Sequence, residues 1–153
     1  MKAEKKGELY IRPIQTGTTL DHLHAGTSIK ILQILNITNH PVTAAMYVSS
    51  RKMGKKDLIF IEEKFLTKED IERVSLIAPT ATVNGIRLGK VFDKKQLSMP
   101  EKVVDLIRCV NPNCITNHEP LKTKFSIIKN PTRVKCFYCE TTMNEREFRE
   151  RIK

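Results

Sequence analysis

Four cysteines in two close pairs carry the most defined chemistry in this chain. Cys109 and Cys114 are spaced C-x4-C, and Cys136 and Cys139 are spaced C-x2-C. Each short loop can turn two thiolates toward one point, and four thiolates at tetrahedral geometry suit a structural zinc ion. The competing use is two disulfides, which belong chiefly to small secreted domains. The opening M-K-A-E-K-K-G-E carries no apolar signal segment, which weighs against that use. A catalytic zinc keeps one position for water, so a full set of four cysteines points to a metal that builds structure. Thiolates alone also suit iron, while length and spacing favour zinc. His118 stands close by as a further candidate that nothing requires.

Positioning four thiolates takes a module of about fifty residues, and the preceding hundred contain no cysteine. The 153 residues therefore divide into residues 1–99 and a metal module over 100–153, with Pro100 punctuating the boundary near Ser98 to Glu101. The net charge is +10, of which residues 1–100 carry +6 (16 basic against 10 acidic) and residues 101–153 carry +4 (11 against 7). An excess spread so evenly reads as a solvated lysine-rich surface rather than a nucleic-acid stripe. The single tight cluster, R-K-M-G-K-K at Arg51 to Lys56, reads as a loop. No apolar run approaches the roughly 20 residues of a membrane span, so a soluble cytoplasmic protein is expected.

Along the first part, Leu9 to Ile14 alternates as a strand with Pro13 near its end, and Thr16 to Gly26 reads as a loop holding Asp21-His22. Thr27 or Ser28 then caps a helix whose face is marked by Ile31, Ile34 and Leu35. Val42 to Ser49 alternates as a half-buried strand, and Asp57 to Glu62 completes a hairpin with it across Ser50 to Lys56. Thr67 with Asp70 sets a capping box for a second helix bearing Ile71, Val74 and Ile77, which Pro79 stops. Ala81 to Ile86 and Lys90 to Phe92 form a last strand and its return around Gly85 and Gly89.

That order, β-α-β-β-α-β with a short extra strand, is the ferredoxin-like split pattern, so the fold class is α+β with a small zinc-bound β domain following. An edge strand of such a sheet can pair with a second copy, and a homodimer through the N-terminal domain is expected. In the metal module a short helix is expected over Glu101 to Ile107, and strands over Lys124 to Ile128 and Arg133 to Lys135, separated by Asn130-Pro131. Thr141 to Lys153 fits either a strand or a last helix.

Local sequences add a resemblance. The segments G-T-T-L-D-H-L (Gly17 to Leu23), M-G-K-K-D-L-I (Met53 to Ile59), A-P-T-A-T-V-N (Ala78 to Asn84), N-P-N-C-I-T-N-H-E-P (Asn111 to Pro120) and K-C-F-Y-C-E (Lys135 to Glu140) occur in order and at matching spacing. Together they make the chain resemble the regulatory chain of aspartate carbamoyltransferase over nearly its whole length. The resemblance implies a non-catalytic allosteric subunit of pyrimidine synthesis. Its N-terminal domain would bind ATP and CTP and pair with a second copy, and its zinc domain would contact the catalytic chain.

Carried over residue by residue, the resemblance assigns an effector site. Ile11, Arg12 and Ile14 would line the base, and Thr19, Asp21 and His22 would meet base, ribose or phosphate. Leu58, Asn84, Ile86 and Val91 would complete the wall, while Lys94 would meet the triphosphate with Lys56 adding to its field. Two positions depart from the family's pattern. Phe60 stands where a lysine is typical, two residues after Leu58, and Arg12 stands where an acid is familiar. A phenylalanine packs or stacks but donates no charged hydrogen bond, so at Phe60 no such donor separates ATP from CTP.

Two other classes bear comparison. A basic zinc-ribbon protein that binds RNA or DNA fits the cysteines and the charge, but its aromatic residues are few and not interleaved with basic ones. A ferredoxin-like enzyme with a structural zinc lacks a nucleophile and base pair to carry chemistry.

Overall fold

The structure, a computed structural model, describes residues 12–153. Its first sheet has five antiparallel strands: β1 (Gly17–His24), β2 (Val42–Ser50), β3 (Gly54–Glu62), β4 (Thr82–Arg87) and β5 (Lys90–Gln96). They lie in the order β2-β3-β1-β4-β5. Two helices, α1 (Ser28–Leu35) and α2 (Lys68–Ile77), make the crossovers. The first four strands thus have the ferredoxin-like arrangement, and β5 extends it beyond β4.

Side-chain alternation decides which face each residue takes. Leu20, Ile59 and Val83 stand opposite one another in register. They are buried in one cluster with Ile31 and Leu35 of α1 and Val74 and Ile77 of α2. One sheet face is therefore the core. The neighbouring register positions fall on the face turned away from the helices.

Three sequence expectations change here. The first strand is not at Leu9 to Ile14: residues 9–11 lie outside the described residues, and Arg12 to Ile14 are not in a strand. The strand is instead Gly17–His24, inside the segment read as a loop. It escapes a period-two reading because its register shifts between Leu20 and Leu23, where His22 has a φ of 57°. This bulge moves the next inward residue from position 22 to Leu23. The α1 cap differs as well. The Thr27 hydroxyl donates back to the His24 carbonyl at 2.7 Å and caps nothing. The N–H groups of Gly26 and Ser28 donate instead to the Asp57 carboxylate, at 3.0 and 3.1 Å. The third change is at the β4–β5 hairpin, which turns at Leu88 and Gly89, leaving Gly85 within β4. The α2 capping box forms as expected, with Thr67 and Asp70 bonded reciprocally.

The second sheet has four strands in the order β6-β7-β8-β9. These are β6 (Lys102–Val104), β7 (Lys124–Ile128), β8 (Arg133–Cys136) and β9 (Thr142–Asn144), and α3 (Glu145–Arg149) follows. The expected helix at Glu101 to Ile107 is therefore the strand β6. Its β-branched Val103 is buried opposite Phe125 while Val104 faces out, an alternation that a helix would not give. The last segment is both of its alternatives in turn, strand and then helix. Among the described residues no helix is long and apolar enough to cross a membrane.

Candidate metal centre and open sheet face

The metal centre is built from two loops. Cys109 and Cys114 flank a tight turn after β6, in which the Cys114 N–H donates to the Asn111 carbonyl at 3.0 Å. Cys136 ends β8 and Cys139 follows in the next turn, closed by the Glu140 N–H on the Cys136 carbonyl at 3.0 Å. The four Sγ atoms all lie within 4.8 Å of one another. The separations are 3.5 Å for Cys109 to Cys139 and 3.8 Å for Cys114 to Cys136. A tetrahedral ion with metal–sulfur bonds of about 2.3 Å requires sulfurs about 3.8 Å apart, so the four thiols fit such an ion.

Electrostatics favour the same occupant. Burial pushes the Cys109 and Cys136 thiols well above the ordinary range, and the neighbouring sulfurs add to the rise. Burial also raises Cys139, but the Thr141 hydroxyl and N–H outweigh it and bring that thiol down to about 6. Four sulfurs this close, three of them on buried residues and Cys139 half-buried, cannot all ionise beside one another without a cation between them. Hydroxyls already stand at the sulfurs: Thr116 Oγ1 lies 3.1 Å from Cys114 Sγ, and Thr141 Oγ1 accepts from the Cys139 thiol at 3.3 Å, so each is placed to donate once its sulfur is a thiolate. His118 is not among the ligands: its Nε2 donates to the Pro112 carbonyl at 2.7 Å and so fastens the first loop.

Most of the remaining sequence-assigned residues share the sheet face opposite the helices. Phe60 pairs with Thr19, Thr19 with Asn84, and Asn84 with Lys94, giving one continuous row across β3, β1, β4 and β5. Leu58 and Lys56 stand two and four positions from Phe60, Asp21 lies two positions from Thr19, and Ile86 opposite Val91 lies two from Asn84. All therefore project to this face. Polar contacts knit it: Asn84 Nδ2 donates to Thr19 Oγ1 at 3.1 Å, and Lys56 Nζ to Asp21 Oδ1 at 2.8 Å. Burial pushes the Asp21 carboxyl up, yet the Lys56 ammonium and the His22 N–H outweigh it and hold the group below the usual carboxylate range. His22 Nδ1 lies 3.1 Å from the Thr82 hydroxyl, which donates onward to Gln96 Oε1 at 3.1 Å.

The remaining assigned residues sit differently. Ile11 lies outside the described residues. Arg12 is exposed and Ile14 buried in the segment before β1, where the Gln15 carbonyl accepts from the Gly89 N–H at 2.9 Å. That segment runs beside the β4–β5 turn, at the Ile86 and Val91 end of the open face. Sequence reasoning missed Thr82 and Gln96. Their signal was their register, two positions beyond Asn84 and Lys94, which becomes readable only once the strands are aligned.

Fold and site together define the class: a two-sheet α+β chain carrying a cysteine-ligated metal module. Residues 9–98 match the model of the aspartate carbamoyltransferase regulatory chain, allosteric domain, and residues 101–149 match that of its metal binding domain. The chain is 46% identical over 145 residues to the aspartate carbamoyltransferase regulatory chain of Pyrococcus horikoshii, covering 92% of this chain and 95% of that one. The chain of the same description in Thermococcus sibiricus is 44% identical over 140 residues, covering 90% and 93%. That in Methanocaldococcus jannaschii is 43% identical over 140 residues, covering 90% and 94%. The chain belongs to the family of aspartate carbamoyltransferase regulatory chains, and is a regulatory rather than a catalytic chain.

Proposed function

We propose that the open face of the first sheet binds nucleoside triphosphates, and that the second sheet, held by a zinc ion, joins this chain to the catalytic chain of aspartate carbamoyltransferase. The binding would report the nucleotide pool to pyrimidine synthesis in the cytoplasm. The observation that carries the nucleotide reading is the row Phe60, Thr19, Asn84, Lys94. Three interstrand spacings span about 14 Å, the scale of an extended nucleotide. An aromatic ring stands at one end for the base and an ammonium at the other for phosphate, with Thr19 and Asn84 between them as hydrogen-bonding groups. Asp21 accepts from ribose hydroxyls, and Lys56 beside it adds positive charge.

Zinc suits a closed set of four thiolates with hydroxyl donors behind them. When bound, it supplies the charge that keeps all four sulfurs ionised, and so it fixes the two loops together. Edge strand β2, with exposed Met46 and Tyr47, supports pairing of two copies through the first sheet.

The test is calorimetric titration of the zinc-loaded chain with ATP and with CTP, beside a Phe60→Lys variant. Binding of either nucleotide is expected. The variant should shift the ratio of the two affinities by at least threefold, because it restores a charged donor at the base end of the row. Absence of any binding heat or competition for either nucleotide would overturn the effector reading.

A further inference from the structure

The polar groups behind His22 form a chain with a fixed direction. Thr82 stands opposite Gln96 of β5 on one side and Asp21 of β1 on the other, so all three share the open face. The chain is anchored at the Thr80 carbonyl, which can only accept a hydrogen bond. Gln96 Nε2 donates to it at 3.0 Å, and this turns Oε1 of the same amide toward Thr82. An amide oxygen also only accepts, so the buried Thr82 hydroxyl gives its one proton to Gln96 Oε1, at 3.1 Å. Only lone pairs remain on that hydroxyl. His22 Nδ1, 3.1 Å away, must therefore be the donor. Thr80 closes the arrangement, since its own hydroxyl donates to the His22 carbonyl at 3.3 Å.

The tautomer follows. A neutral imidazole carries one N–H, and with that proton on Nδ1 the other nitrogen, Nε2, is a bare acceptor. The titratable and charged groups around the ring are Asp21 and His24 on β1, Lys56 on β3 and Lys94 on β5, while β4 brings the uncharged Thr82 and Asn84 and the helices lie on the other face. Asp21 and Lys56 are tied to each other at 2.8 Å, and His24 Nε2 lies 3.4 Å from the Thr80 hydroxyl. Lys94, two positions from Gln96, marks the phosphate end of the proposed row, so His22 stands beside the path of the phosphates. A phosphate oxygen brings lone pairs to a nitrogen that itself offers one. Contact between them forms only when Nε2 gains a proton.

We infer that Gln96 is a positioning residue of the nucleotide site: acting through Thr82, it holds neutral His22 in the Nδ1–H form, so that His22 meets phosphate only as an imidazolium and nucleotide binding takes up a proton. The inference rests on the proposed nucleotide site and adds to it a residue that touches no ligand. Because the bound state holds its proton more tightly, affinity rises as pH falls and is lost as pH rises. Replacing Gln96 removes the acceptor that fixes the Thr82 hydroxyl. That hydroxyl can then donate to Nδ1, and neutral His22 can offer Nε2–H to phosphate without any uptake.

The experiment uses the full zinc-loaded chain and its Gln96→Leu and Thr82→Ser variants. Gln96 is exposed on an edge strand, so its replacement leaves the core untouched. Imidazole nitrogen–proton NMR of the nucleotide-free chain above pH 8 reads the tautomer. Calorimetry with ATP and with CTP, in buffers of different ionisation heat, reads protons taken up per nucleotide bound. The unmodified chain is expected to show the Nδ1–H form of His22 and proton uptake. Gln96→Leu should convert His22 to the Nε2–H form and lower the uptake at least twofold, whereas Thr82→Ser, which keeps the hydroxyl, should preserve both readouts. The nucleotide's own titration is common to all three chains, so the difference between them reports the protein. An Nε2–H form in the unmodified chain, or the same tautomer and uptake in Gln96→Leu, would overturn the inference while leaving nucleotide binding intact. Absence of binding by either nucleotide would overturn the effector reading itself, and the proton coupling with it.

Discussion

Asp57 organises the N-terminal part from within. Its side chain is fully buried, and it accepts from three backbone N–H groups: Gly26 at 3.0 Å, Ser28 at 3.1 Å and Tyr47 at 2.9 Å. The first two open α1, and the third sits in the β2 bulge, where Tyr47 has a φ of 58°. One carboxylate thus replaces the side-chain cap that Thr27 fails to supply and also holds a neighbouring strand. Burial pushes the carboxyl up, but the N–H donors prevail and its affinity for protons falls below the ordinary value. A folded-state value depressed in this way gives stabilisation that is full above the unfolded-state value near 4 and is lost as pH falls through the folded one. Asp57→Asn should therefore cost roughly 2 kcal/mol at pH 7 by urea unfolding, since an amide offers one acceptor where three donors converge. It should also flatten the stability profile below pH 4. An unchanged acid limb in the variant would remove Asp57 from this role. Nothing local in D-L-I-F announces it, because its partners lie 10 to 31 residues away.

Elements were readable where one period governs a whole segment. The α2 capping box and β7 follow from a cap or from alternation within a few residues, and the β2–β3 hairpin follows from its two strand-forming runs even though β2 bulges between Ala45 and Val48. Strand β1 did not, because its bulge at Asp21 and His22 breaks the alternation at the very residues proposed for ligand contact. The same interruption that hides the strand turns two polar side chains onto the open face. At the other end of β1, Gly17 has a φ of 144°, and a Cβ there would collide with the Ile61 carbonyl oxygen of β3. Both conditions demand glycine. Gly17→Ala should lower unfolding stability by roughly 2–3 kcal/mol and unzip the paired ends of β1 and β3. The check is amide exchange, in which Thr18 and Ile61 should lose protection ahead of Leu20. Equal protection in the variant would show that the strands separate without strain.

At the scale of the whole chain, two cores touch. The second sheet buries Val103, Ile107, Phe125, Val134, Met143 and Phe148, and Leu76 of α2 belongs to this cluster rather than to that of its own helix neighbours. Ile152 packs against both clusters. Arg73, tied to Asp70 at 3.5 Å, donates through Nε to the Lys153 carbonyl at 2.8 Å. Lys153 Nζ in turn meets Asp105 at 2.6 Å. The four cysteines told of a metal module because ligand spacing is local, whereas this seam joins residues 80 apart and left no mark in the sequence. A core this small is expected to depend on its metal, whose binding energy is then folding energy. Chelation should melt residues 101–153, with loss of amide protection in β7 and β8, while β1, β3 and β4 keep theirs. Retained protection in β7 without metal would show that the apolar cluster suffices.

Leu76 gives that seam a cellular meaning. The residue is fully buried and packs in the cluster of the cysteine-bearing sheet. A chain made when metal is scarce therefore displays a greasy patch on an otherwise finished N-terminal half, and such patches draw chaperones, proteases and other copies of the same chain. Metal supply would then set how long each newly made molecule survives as well as its shape.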